Sequence, residues 1–149
     1  MTVLSPSRIV SAVALLAIGF ASGSWNASNV ALAQGSGKVY ELRTYTAPEG
    51  KLPNLQARFR DHTLALFEKH HIKSVGYWTP LEGPTAGTTL IYLLEHPGRE
   101  EARKNWAEFG ADPDWRKARA DSETNAGGGS LTTKVDSVFL TPTDYSPMK

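Results

Sequence analysis

From residue 38 onward the apolar residues of this chain recur at two alternating spacings. Lys38 to Ala47 (KVYELRTYTA) runs in period two. Tyr40, Leu42 and Thr44 fall on one side and Glu41, Arg43 and Tyr45 on the other, predicting a strand with one polar-decorated face. Pro48-Glu49-Gly50 breaks it. Leu52, Leu55, Phe59, His62 and Leu66 then follow at intervals of three and four, one stripe of an amphipathic helix reaching about His70. Pro53 falls in its first turn, where a missing N–H does no harm.

Ile72 to Leu81 reads as a second strand and EGPTAG as a turn. Thr88 to His96 reads as a third strand, apolar on both faces and therefore central in its sheet. Pro97-Gly98 ends it. REEARKNWAEF predicts a helix with Ala102, Trp106 and Phe109 on one side, and ADPDWRKARADSE a separate one. Asp112 is placed to cap that second helix, with Pro113 at its first position. NAGGGS bends the chain into a last strand, Leu131 to Leu140, and TPTDYSPMK is a Pro-containing tail.

The order β-α-β-β-α(α)-β predicts an α+β, ferredoxin-like fold: a four-stranded antiparallel sheet with helices on one face. Apolar and aromatic side chains point to both faces of such a sheet: Leu42 and Tyr45, Val75 and Trp78, Ile91 and Tyr92. A lone chain would leave a large apolar patch in water, so pairing of two sheets into a homodimer is expected.

The first 33 residues carry a different pattern. Arg8 precedes a charge-free apolar run, Ile9 to Ala21, too short to span a bilayer comfortably, and Ala31-Leu32-Ala33 reads as a small-residue cleavage site. The expectation is a signal peptide over 1–33, cleaved after Ala33, a linker at 34–37 and one domain over 38–149. Export to a periplasmic or secreted location follows; a mitochondrial presequence is the alternative, since no acid occurs before Glu41. Loss of Arg8 would leave 15 acids balanced by as many bases, and the chain has no basic run. Nucleic acid is not an expected partner, nor is a membrane after processing. With no cysteine, disulfides and thiolate chemistry are excluded.

Candidate chemistry is sparse. His62 sits on the apolar helix stripe, as the polar group of a pocket or as a core histidine tied to a carbonyl or carboxylate. Glu41, Arg43 and Tyr45 share a strand face; they suit an anionic ligand or form an internal ion pair at the dimer interface. Trp78, Trp106 and Trp115 are pocket walls or packing residues. His62 and His70 lie eight apart, about 12 Å along a helix, and adjacent His70 and His71 diverge by about 100°, so neither pair chelates a metal. No metal site and no cofactor are expected. Gly35 to Lys38 (GSGK) lacks the upstream glycine of a phosphate loop, and no G-x-S-x-G is present. His70 and His71 instead read as a helix stop, with His71 in the left-handed region.

YELRTYT, FRDHTLALFEKHHIKSVGYW, ADPDWRKARADSE and VDSVFLTPTDYSP together resemble the NIPSNAP family in its exported bacterial form. The resemblance covers the chain from about Val39 to its end and implies a dimeric α/β barrel; where the family commonly has His-Gly, this chain has His70-His71. It carries no settled reaction. Three functions follow: a homodimer binding an apolar or aromatic small molecule in a sheet-lined cavity; a cofactor-free monooxygenase, isomerase or decarboxylase with His62 as general base and Arg43 as electrophilic clamp; and a structural or partner-binding dimer.

Overall fold

The computed structural model describes residues 37–149; the signal segment expected over 1–33 and most of the expected linker lie outside the described residues. Four strands, β1 (Val39–Thr46), β2 (Lys73–Trp78), β3 (Thr89–His96) and β4 (Lys134–Leu140), form one antiparallel sheet in the order β2-β3-β1-β4. This is the α+β, ferredoxin-like arrangement expected, with β3 central. Between β1 and β2 runs a helix, α1 (Leu52–Arg58), continued through a π-helical turn (Phe59–Thr63) into α2 (Leu64–Lys69). Two further helices, α3 (Arg99–Ala111) and α4 (Pro113–Asn125), join β3 to β4. Asp112 caps α4 by accepting from the Asp114 N–H at 2.8 Å, with Pro113 in the first turn.

The π turn changes which residues face the core. Leu64 N–H donates to Phe59 C=O, a bond one residue longer than the α-helical one. One extra residue in a turn rotates everything after it by roughly 100° relative to an unbroken helix. Leu52, Leu55 and Phe59 are buried before the turn, and Thr63, Leu66 and Phe67 after it. Thr63 takes the inward position and its hydroxyl donates to Arg58 C=O at 3.2 Å. His62, which an uninterrupted period places on the stripe, is exposed.

The two faces of the sheet differ in kind. Glu41, Arg43 and Tyr45 point toward the helices: Tyr45 meets Phe59 edge-on at 5.9 Å, and Arg43 lies 4.2 Å over the Trp106 ring of α3. With Leu90, Tyr92 and Leu94 of β3, this face packs on Leu55, Phe59, Phe67 and Phe109 to form the core. No helix among the described residues covers the opposite face. There Leu42 stands between Leu93 and Val138, and Thr44 between Ile91 and Asp136. Val138 and Trp78 are about half exposed. A bulge between Ser74 and Gly76 interrupts β2, and the Trp78 indole lies so close over Gly76 that a Cβ there would meet it at 2.6 Å.

His70 and His71 stop α2 in the expected way. His71 has φ +57°, the one positive value at a non-glycine among the described residues. His70 does more than face carbonyls: its Nε2 lies 2.6 Å from Asp112 Oδ2, tying the end of α2 to the start of α4. The His71 carbonyl accepts from Asn105 of α3 at 3.2 Å. The left-handed residue costs a histidine roughly 1 kcal/mol or more, and glycine adopts it without that strain at a smaller entropic cost. Replacing His71 by Gly is expected to raise the unfolding free energy by about 0.5 kcal/mol in urea melts, and His71→Val to lower it by about 1 kcal/mol or more.

Candidate functional site

The helix face of the sheet holds a buried carboxylate, Glu41, that is 1% exposed and saturated with donors. Its Oε1 accepts from Arg43 Nη1 at 2.5 Å and from Ser137 Oγ at 2.6 Å. Its Oε2 accepts from Trp106 Nε1 at 2.7 Å and pairs with His96 Nε2 at 3.1 Å. The register explains the convergence. Glu41 stands opposite Leu94 on one side and Phe139 on the other, so His96 and Ser137 lie two residues along on the same face. Trp106 reaches down from α3. Burial opposes the negative charge, but the hydrogen bonds from His96, Ser137 and Trp106, with the Arg43 charge, outweigh it and lower the Glu41 pKa to about 2. Such a carboxylate is ionised at neutral pH and is not a general base.

Above this carboxylate is an open cleft of about 630 Å³ between α3 and β4. Trp106 and Phe139 form its aromatic walls, Glu41 its floor, and Arg99, Glu100 and Arg103 its rim. Arg99 stacks 4.4 Å over the Phe139 ring, and Arg103 pairs with Glu100. The cleft exists because the helices pack mainly on β3 and β2, leaving the helix-facing side chains of β4 largely uncovered. Val135 and Ser137 there are exposed, and Phe139 is only partly buried. A second groove, of about 450 Å³, runs along the β2 edge beside Leu64, Ile72 and Tyr77, with Glu68, His71, Lys73 and Ser74 as its polar lining.

The sequence candidates divide. Glu41, Arg43, Tyr45 and Trp106 come together: Arg43 Nη2 donates to the Tyr45 hydroxyl at 3.3 Å while its guanidinium covers Trp106. They do so under the helices of one chain, not on the open face, because the strand's polar face is the one that packs on α3. His62 does not join them; the π turn carries it to the surface, so neither a pocket role nor a core role holds for it within this chain. The pairing of His62 with Arg43 as base and clamp therefore lacks its geometry. Trp78 lies on the opposite face over Gly76. Trp115 packs on Phe109 at 4.5 Å, with Arg58 over its ring, and is not a cleft wall.

His96, Ser137, Phe139 and the rim arginines escaped the sequence reading. Period two along β3 and β4 puts His96, Ser137 and Phe139 each on a definite face, but only the strand register brings them to Glu41.

The hub has a pH signature. An unfolded glutamate titrates near 4.5 and the folded one at about 2. The stabilisation is therefore complete above pH 4.5 and lost as pH falls toward 2, about 3 kcal/mol in all. Asp112, held well below the ordinary aspartate range by Lys69 and then His70, acts in the same direction. Urea titrations between pH 7 and 2 are expected to show flat stability down to about pH 5 and a steep fall below. Glu41→Gln should be less stable at neutral pH and lose part of that slope.

Three comparisons place the chain among known proteins. The NIPSNAP family model matches residues 40–147. No curated protein matches the chain. Among solved structures, an uncharacterised NIPSNAP-like domain protein from Burkholderia xenovorans aligns with TM-score 0.64 and 18% identity over 75% of this chain and 90% of its own. A NIPSNAP family protein from Agrobacterium tumefaciens gives 0.64 and 19% over 75% of this chain and 99% of its own. A second from the same organism, of unknown function, gives 0.65 and 20% over 77% and 96%. At these identities the structures speak for the fold alone, whereas the family model spans most of the domain. The chain belongs to the NIPSNAP family.

Proposed function

We propose that this protein binds an apolar or aromatic small molecule in the cleft between α3 and β4, and acts as a homodimer paired through the opposite face of its sheet. The observation that carries the binding role is the cleft itself. Its walls are Trp106 and Phe139, and its floor charge is already satisfied by four donors, so a ligand would meet two aromatic walls under a charged rim of Arg99, Glu100 and Arg103. The pairing role is supported by the helix-free face, where Leu42, Ile91, Leu93, Val138 and Trp78 form an apolar surface bounded by Glu95 and Asp136. Placing the partner there leaves the ligand cleft on the other side, within each subunit. The apolar run before Ala33 supports an exported form.

The cofactor-free enzyme reading loses its pair of residues, since His62 is exposed and Arg43 is engaged with Glu41, Tyr45 and Trp106. Sedimentation equilibrium at micromolar concentration should give the dimer mass for the native chain and the monomer mass for Leu93→Lys, which sets a charge in the middle of the paired face. A native chain that sediments only as monomer refutes the pairing. For the cleft, titration with 2-naphthalenemethanol should shift the Trp106 indole N–H resonance saturably, and Phe139→Ala should weaken binding about tenfold, the loss of one aromatic wall. If that resonance stays fixed up to the solubility limit, the cleft is not the binding site.

A further inference from the structure

We infer that the cleft selects ligands carrying a carboxylate, and that Arg99, with Arg103 one turn further along α3, makes that selection at its mouth. The inference rests on the binding role proposed above and adds the chemical class of the ligand. Arg99, Arg103 and Trp106 fall at intervals of four and three along α3, and all three line the cleft. One face of that helix therefore presents two guanidiniums and an indole to the same recess. Like charges four residues apart on a helix repel each other, and an anion between them relieves that repulsion.

The charges around the cleft do not cancel. Glu41 is opposed by Arg43 at 2.5 Å, and Ser137, Trp106 and His96 fill the rest of its oxygens, so it takes no ligand group. Glu100 pairs with Arg103. Glu101, the other acid in the first turn of α3, sits over Gly98. Arg99 is left without a carboxylate partner among the described residues. The uncompensated charge at the mouth is positive.

Position gives Arg99 its role. Its guanidinium lies 4.4 Å over the Phe139 ring, a cation–π contact that holds it at the cleft wall. A ring contact of that kind uses none of the N–H donors, which stay free for an acceptor, and a planar carboxylate takes two of them at once. A neutral aromatic ligand would use the walls and leave this fork in water. A cationic ligand would face an excess of positive charge, with Glu41 and Glu100 both already engaged. An aromatic acid uses the whole lining: its ring meets Trp106 and Phe139, and its carboxylate meets Arg99 with Arg103 close by.

The test compares two molecules that share a ring and differ in the acid: 2-naphthoate and 2-naphthalenemethanol, each titrated calorimetrically into the full chain. Naphthoate should bind about fivefold or more tightly, as expected for charge-assisted hydrogen bonds at a half-open site. In Arg99→Gln that preference should fall about threefold or more. Glu100→Gln frees Arg103 from its partner and should raise the preference about twofold. Lys117→Gln, at an exposed position on α4, removes the same unit of charge away from the cleft and should leave the preference as it was. Equal binding of the two molecules by the native chain overturns the acid class while leaving the binding role intact. A preference undiminished in Arg99→Gln, or one that falls as far in Lys117→Gln, overturns the assignment to Arg99. No gain in Glu100→Gln overturns the part given to Arg103. Binding of neither molecule overturns the binding role and this inference with it.

Discussion

The Glu41 carboxylate is the point on which the rest of the structure depends. Its four donors come from β1, β3, β4 and α3, so a single acidic group joins three strands to the helix that covers them. Taking a carboxylate out of water costs several kcal/mol, and only a complete set of donors makes that tolerable. Truncating any one of them leaves the others around a partly unpaired buried charge, which is why such networks act as a unit. The same saturation fixes the Trp106 edge and makes the cleft floor electrostatically quiet. A wall held from below by its own indole N–H is a rigid surface for a ligand.

Two asymmetries shape what lies around that hub. The helices pack on β3 and β2 and leave β4 uncovered on their own side, which opens the cleft. The other face of the sheet has no helix among the described residues, and its side chains are mainly apolar where the strands are central and charged at the margins. One face thus offers a recess of aromatic and cationic groups, and the other a flat apolar surface suited to a second sheet. In the proposed reading, binding and self-association occupy different faces and do not compete for the same side chains.

The helix between β1 and β2 is set by two local departures from regular geometry. The π turn at Phe59–Thr63 shifts the buried stripe so that Thr63 and Phe67 join Leu66 in the core and His62 reaches water. The left-handed His71 then turns the chain into β2, while His70 ties the helix end to Asp112. Asp112 in turn accepts from Lys69 and caps α4, so the end of one helix and the start of another share one side chain.

How much of this was written in the sequence follows from the range of each interaction. Period two and period three-to-four are local properties, so the strands, the helices, the Asp112 cap and the left-handed His71 were legible residue by residue. The alternation in β1 separated Glu41, Arg43 and Tyr45 from Leu42 and Thr44, but it carried no information about which side the helices would cover. That depends on α3, more than fifty residues away, and its Trp106 chose the polar face by hydrogen-bonding Glu41. The π turn depends on a single inserted residue whose cost and benefit are set by packing, and no spacing rule announced it. So the sequence by itself determined the elements, their order and the ferredoxin-like class. Only the tertiary structure decided that His62 is a surface residue, that the strand's polar face is buried under helices, and that His96, Ser137 and Phe139 complete the site. Strand register and helix placement join residues far apart in the chain, and those are the two quantities that local patterns leave open.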